Sequence, residues 1–130
     1  MNLDHLIVPS RNKLESSQLV AEILGVPRLP MTGHFAQVKL NDTTLLDFDN
    51  VEGFERHHYA FHVTDDEFDR ALEQVQAKGV PYGTAPQNQD NAKLNQHGGG
   101  RGFYFRCPDG HSWELLTHRM AGQVPQTLKA

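Results

Sequence analysis

Cysteine is nearly absent from this 130-residue chain. Cys107 stands alone, which excludes an internal disulfide and a cysteine-based zinc finger. Positive charge is not in excess either. Twelve Lys and Arg face sixteen Asp and Glu, a net charge of -4 at pH 7, so nothing marks a nucleic-acid-binding face. No apolar run approaches the length needed to cross a bilayer. No basic segment followed by a long apolar one opens the chain, so no membrane partner and a cytoplasmic location are expected. The Gly98-Gly99-Gly100 run lacks both a phosphate-loop lysine and dinucleotide spacing. What is present suits an ordinary globular domain with a sizeable core, and the eight histidines are dispersed rather than clustered as in a tag.

A repeat organises the chain. HLIVPSRNKLESSQLVAEILGVP, from His5, and HYAFHVTDDEFDRALEQVQAKGVP, from His58, share one layout. Each is a histidine, a short apolar run, a polar break, an amphipathic stretch and Gly-Val-Pro. His5 to Gly25 spans 20 positions and His58 to Gly79 spans 21. Further on, Asp47 follows Asp42 by five positions, as Glu114 follows Asp109. Duplication thus sets a histidine near the start and a carboxylate near the end of each half.

Local patterns supply the elements. Leu3 to Pro9 reads as a buried strand stopped by Pro9. Ser10 is the expected cap of a helix with Leu14, Leu19, Val20, Ile23 and Leu24 on its apolar stripe, ended by Gly25 and Pro27. Phe35–Leu40 and Thr43–Phe48 read as strands, and Val51–Arg56 as the link between halves. In the second half Tyr59–Val63 is a strand, and Thr64 with Glu67 forms a capping-box pattern ahead of Phe68, Leu72 and Val75. Pro81–Thr84 reads as a short strand, and Ala85–Arg101 as a long polar, glycine-rich rim loop, mobile for want of apolar anchors. Gly102–Arg106 and Ser112–Leu116 are strands around a Pro108-Asp109-Gly110 turn. The order predicts an α+β protein of two tandem βαβββ modules. Module one covers about 1–52 and module two about 53–118, with a tail over 119–130. Alternation puts His58, Ala60 and His62 on one face, and Tyr59, Phe61 and Val63 on the other. Ser112, Glu114 and Leu116 share a face, as do Tyr104 and Arg106.

The stretches LDHLIVP, HHYAFHV and GRGFYFRCPDGHSWELL carry a likeness. Through them the chain resembles the vicinal oxygen chelate superfamily, which holds glyoxalase I, the fosfomycin-resistance thiol transferases, the extradiol dioxygenases and the bleomycin-resistance proteins. The likeness runs roughly from Leu3 to Thr117. It implies an open cup of sheet with one divalent metal, Zn, Mn, Ni, Co or Fe, on His5, His58 and Glu114. Glyoxalase-type members add a fourth ligand, which falls here on Asp47. The matching activity is that of a lyase, isomerase or thiol transferase acting on a small oxygen-rich, anionic substrate. Glu114 and Tyr104 are its catalytic candidates, and Arg101, Arg106 and His62 its substrate-binding candidates. The stretch LNQHGGGRG departs from the lysine- and serine-bearing loop of the fosfomycin enzymes. Two alternatives stay open: a metal-free binding protein of the bleomycin-resistance type, and an Fe(II) extradiol-type dioxygenase. A homodimer is implied, with the modules pairing either within or between chains.

Overall fold

The computed structural model describes residues 1–120, so most of the expected tail lies outside the described residues. The first module runs β1 (His5–Ser10), α1 (Lys13–Leu24), β2 (Ala36–Lys39) and β3 (Leu45–Asn50). The second runs β4 (His58–His62), α2 (Asp65–Ala77), β5 (Tyr82–Gly83), β6 (Gly102–Arg106) and β7 (Ser112–Leu116). Two sheets result, ordered β1-β3-β2 and β4-β7-β6-β5. Both first strands pair in parallel with the last strand of their module. The architecture is the expected α+β pair of modules, with one shortfall. The strand between α1 and β2, the counterpart of β5, is reduced to a single bridge between Arg28 and Val38. Pro27 has no N–H to donate, and its carbonyl is what Lys39 pairs with. Among the described residues, no helix is long and apolar enough to cross a membrane.

Several boundaries moved for physical reasons. Pro9 does not stop β1, which continues to Ser10. The strand is an edge, bonded to β3 alone, and an edge tolerates a residue that cannot donate. Ser10 does not cap α1. Asn12 does, accepting from the Glu15 N–H, while the Ser10 hydroxyl donates to the buried Asp109 carboxylate at 2.8 Å. The buried face of α1 carries Ser16, Ser17, Val20, Ala21 and Ile23, leaving Leu14 exposed. Two serines and an alanine thus share that face with Val20 and Ile23, and Leu19 and Leu24 pack at its margin. The Thr64–Glu67 capping box of α2 is complete on both sides.

The apolar sides of both sheets meet the helices in one core. Val8, Leu46, Phe48, Phe103, Phe105, Trp113 and Leu115 are all essentially inaccessible. Pro108-Asp109-Gly110 locks the modules together. Asp109 also accepts from the Arg11 N–H at 2.7 Å, and the next residue but one, His111, is fully buried. His111 Nδ1 accepts from the His57 backbone N–H at 2.9 Å, and Nε2 lies 2.7 Å from the Pro9 carbonyl. Nε2 therefore carries the proton and the ring is neutral.

Burial lowers the pKa of His111 against the opposing pull of the Pro9 carbonyl and Asp109. A histidine with a depressed folded-state value binds fewer protons folded than unfolded. Its contribution is intact above the unfolded value of about 6.5 and is lost as pH falls through the folded one. Urea unfolding followed from pH 8 to pH 5 should show stability falling below about pH 6.5, with a shallower fall in His111→Gln. Identical slopes for the two proteins would refute the assignment.

Candidate metal centre

The other side of each sheet is open. On β4, His58, Ala60 and His62 are exposed, and Tyr59 and Phe61 are half-buried, which is the alternation read from the sequence. On β7, Trp113 and Leu115 are buried while Ser112, Glu114 and Leu116 are part-exposed. On β1, Ile7 remains 52% exposed on the open side.

Register makes the two open faces equivalent. In the second module Ala60 pairs with Glu114, and Glu114 pairs across β6 with Tyr104. In the first, Ile7 pairs with Asp47, and Asp47 pairs across β2 with Gln37. Each histidine therefore sits two residues before the residue opposite its carboxylate. Asp47 is the counterpart of Glu114, as the repeat implied. Gln37 is the counterpart of Tyr104, which the sequence reading missed because the repeat is faint in that strand. The Gln37 amide donates to Asp47 at 3.0 Å and so holds its carboxylate.

The two half-sites differ in what they offer. His58 Nε2 lies 2.8 Å from Glu114 Oε1, with the ring of Tyr104 5.6 Å from that of His58. The Tyr104 phenol, opposite Glu114 in the sheet, is pushed up to about 12, first by burial and then by the Glu114 carboxylate. It is thus a protonated phenol at neutral pH and not a phenolate. In the other half, His5 Nδ1 bonds Asp4 at 2.7 Å, which raises the His5 pKa. That bond engages Nδ1 and leaves Nε2 as the ring nitrogen for a ligand, as a carboxylate behind a ligating imidazole does. His5 is exposed, and Asp47 is nearly buried. Within one chain, no group of three or more His, Cys, Asp and Glu gathers among the described residues. The structure joins His58, Glu114 and Tyr104, and joins His5 with the Asp47 side of the other sheet, but it does not merge the two sets.

The substrate-binding candidates scatter. Arg101 is turned to α2, bonding Asp69 at 2.7 Å and Asp65 at 2.9 Å, with its guanidinium 4.3 Å from the centre of the Phe68 ring. Its charge is matched there, and it ties the end of the long loop to the helix. His62 lies at the far end of β4, in a cleft with Ala60 and Glu67. Arg106 is exposed at the end of β6 and reaches the Pro86 carbonyl at 3.3 Å. A cavity of about 600 Å³ lies elsewhere, between Ser10, Arg11, Phe54, Arg56 and Asp109 at the module junction.

The rim loop is anchored by polar groups, not left loose. Asn95 bonds the Thr84 carbonyl, Asn91 the Thr84 hydroxyl, and Asn95 and Gly102 exchange backbone bonds. Two glycines let it lie on the open face. A Cβ on Gly102 would meet Asn95 Oδ1 at 2.7 Å, and one on Gly83 would collide with the Asn88 carbonyl. Gly83 pairs with Tyr104, so the loop covers the β5–β6 side of that face and buries Tyr104 to 6% exposure.

Known proteins share this fold. The sequence pattern of the Glyoxalase/Bleomycin resistance protein/Dioxygenase superfamily matches residues 9–115. Oxidase ChaP-H2 is 34% identical, with 92% of this chain and 94% of that one aligned at a TM-score of 0.86. Oxidase ChaP-H1 is 35% identical over 92% and 97%, at 0.84. The fosfomycin resistance protein FosX from Mesorhizobium loti is 20% identical over 95% and 98%, at 0.70, a likeness of fold. No curated protein sequence matches. With the superfamily pattern spanning most of the chain and both modules in place, the chain belongs to the Glyoxalase/Bleomycin resistance protein/Dioxygenase superfamily.

Proposed function

We propose that this chain is a divalent-metal enzyme of that superfamily, acting as a homodimer on a small oxygen-rich, anionic substrate. One observation carries the reading: two half-sites in matching register, both on open faces, neither complete alone. Brought together from two chains, His5 of one and His58 with Glu114 of the other make two imidazoles and a carboxylate. That donor set suits Fe, Mn, Zn, Ni or Co, and with open positions it is the set used by non-haem Fe(II) oxygenases. Asp47, its carboxylate held by the Gln37 amide, would join them as a fourth ligand or support a ligating imidazole from behind. The ion, when bound, would hold two adjacent substrate oxygens and stabilise negative charge developing on them. Glu114 and Tyr104 then form a proton-sharing pair at that point.

For the reaction class, the 34–35% identity to two oxidases favours oxidation with dioxygen as the oxidant over the lyase, isomerase or thiol-transferase chemistry that the sequence suggested. Tyr104, a protonated phenol in register with Glu114, keeps a proton-moving isomerase or lyase as the second reading.

Protein purified without a histidine tag and loaded anaerobically with Fe(II) should hold close to one iron per chain by elemental analysis. Glu114→Gln should fold normally, since Glu114 faces the open side, yet lose most of the metal. Oxygen uptake with vicinal diols and hydroxy acids then separates oxidation from isomerisation. A wild-type protein that takes up no transition metal under any condition sinks the enzyme reading in favour of a binding protein.

A further inference from the structure

The open face of the second sheet carries a second cluster of polar groups. Arg106 pairs in register with Ser112, and Ser112 precedes Glu114 by two positions on the same side of β7. The Gln89 side chain, from the rim loop, reaches across to this point. Its Nε2 donates to the Pro86 carbonyl at 2.9 Å and to the Ser112 hydroxyl at 2.8 Å. Gln89 is 7% exposed, and its Oε1 has no partner. Flipping the amide would set that oxygen against the Pro86 carbonyl, so the orientation is fixed. The amide thus accepts an unpaired oxygen in order to donate to Ser112. Because Ser112 Oγ already accepts from Gln89, its own hydrogen is free to donate outward. Arg106 and Gln89 line a cleft of about 260 Å³ together with Pro81, Pro86 and Asp90. Arg106 makes no ion pair among the described residues, unlike Arg101.

We infer that Arg106 and Ser112 form a subsite for the acidic group of the substrate, with Gln89 as the residue that positions the Ser112 hydroxyl. The inference rests on the metal reading for what lies at the other end of the ligand. Two residues of strand separate Ser112 from Glu114 by roughly 7 Å. The substrate class is then a compact acid whose carboxylate lies about that far from a pair of adjacent oxygens. A planar guanidinium beside a hydroxyl matches the two oxygens of a carboxylate. Asp90 on the cleft's rim disfavours a more highly charged group.

Two probes of the same skeleton read this out: 3,4-dihydroxybenzoate, which has the acid, and catechol, which lacks it. With the Zn(II)-loaded protein, calorimetry should give the acid an affinity about tenfold higher or more, the worth of a charge-assisted pair. Arg106→Ala should erase that preference without changing catechol affinity or zinc content. Ser112→Ala and Gln89→Ala should each reduce it, and Ser112→Thr, which keeps the hydroxyl, should restore it. A general structural defect would instead weaken both probes alike. Equal affinities in the wild type, no binding of the acid, or a preference that survives Arg106→Ala overturns the subsite. Benzoate titrated without metal tests it separately by protein NMR. Shifts at Arg106, Ser112 and Gln89 that vanish in Arg106→Ala uphold the subsite even where zinc fails to bind, a failure that counts against the metal reading alone. Benzoate that leaves these residues unmoved overturns the subsite.

Discussion

Chains carrying His5→Ala and chains carrying Glu114→Gln should each bind little metal, and dimers containing one of each should recover about half of the wild-type content. The reason is the separation of the half-sites. His5 lies on the sheet of β1, and His58 with Glu114 lies on the sheet of β4 and β7, with no three ligands gathered within one chain among the described residues. If each site draws on both chains, the mixed dimer has one site with both defects and one with neither. Co-expression with two different non-histidine tags isolates the mixed species, and elemental analysis reads it. Without isolation, random pairing leaves about a quarter of sites intact. Mixed dimers that hold no more metal than the parents would mean that the modules close into a site within one chain. The same surfaces argue for the pairing on other grounds. The unpaired edges of β1 and β4 are a liability for a lone chain, and a second chain would cover them.

The sequence carried the equivalence of the two halves well because duplication is a long-range signal that survives drift. His5 with Asp47 and His58 with Glu114 are equivalent in register, and strand alternation sorted open from buried sides correctly on β4 and β7. What it could not carry was the partner of each polar side chain. Arg101 follows three glycines and reads as a free cation. Only the fold brings Asp65 and Asp69, one turn apart on α2, beneath it. Arg106 and Arg101 are indistinguishable by composition, yet one is paired and the other is not. Ser10 fits a helix cap locally, but Asp109, 99 residues away, competes for its hydroxyl and wins. The rim loop failed as a prediction of looseness for a related reason. Asparagine and glutamine look solvated in a sequence, and Asn95 and Gln89 are instead buried and bonded to the strands.

Trp113→Ala should cost about 3–5 kcal/mol in chemical denaturation, the largest single loss among the core positions. Trp113 is fully buried and stacks near-parallel on rings from both modules. Phe48 of β3 lies 6.1 Å away at 13°, Phe61 of β4 5.8 Å at 7°, and Phe105 of β6 6.4 Å at 14°. Tyr59 adds a closer tilted contact at 4.6 Å. Deleting the indole opens a cavity between the sheets that four surrounding rings are too stiff to fill. The penalty therefore combines lost burial, lost ring contacts and an unrelaxed void. Phe61→Ala should cost less, because Phe61 is only partly buried. Trp113→Phe isolates the volume term. The indole N–H has no nitrogen or oxygen partner and has only the weakly accepting Cys107 sulfur beside it. Phenylalanine removes that unsatisfied donor while keeping a stacked ring, so its loss should stay below about 2 kcal/mol. If Trp113→Ala proved as mild as Trp113→Phe, the ring stack would not be what couples the modules, and the Asp109 and His111 bonds to β1 would carry that role instead.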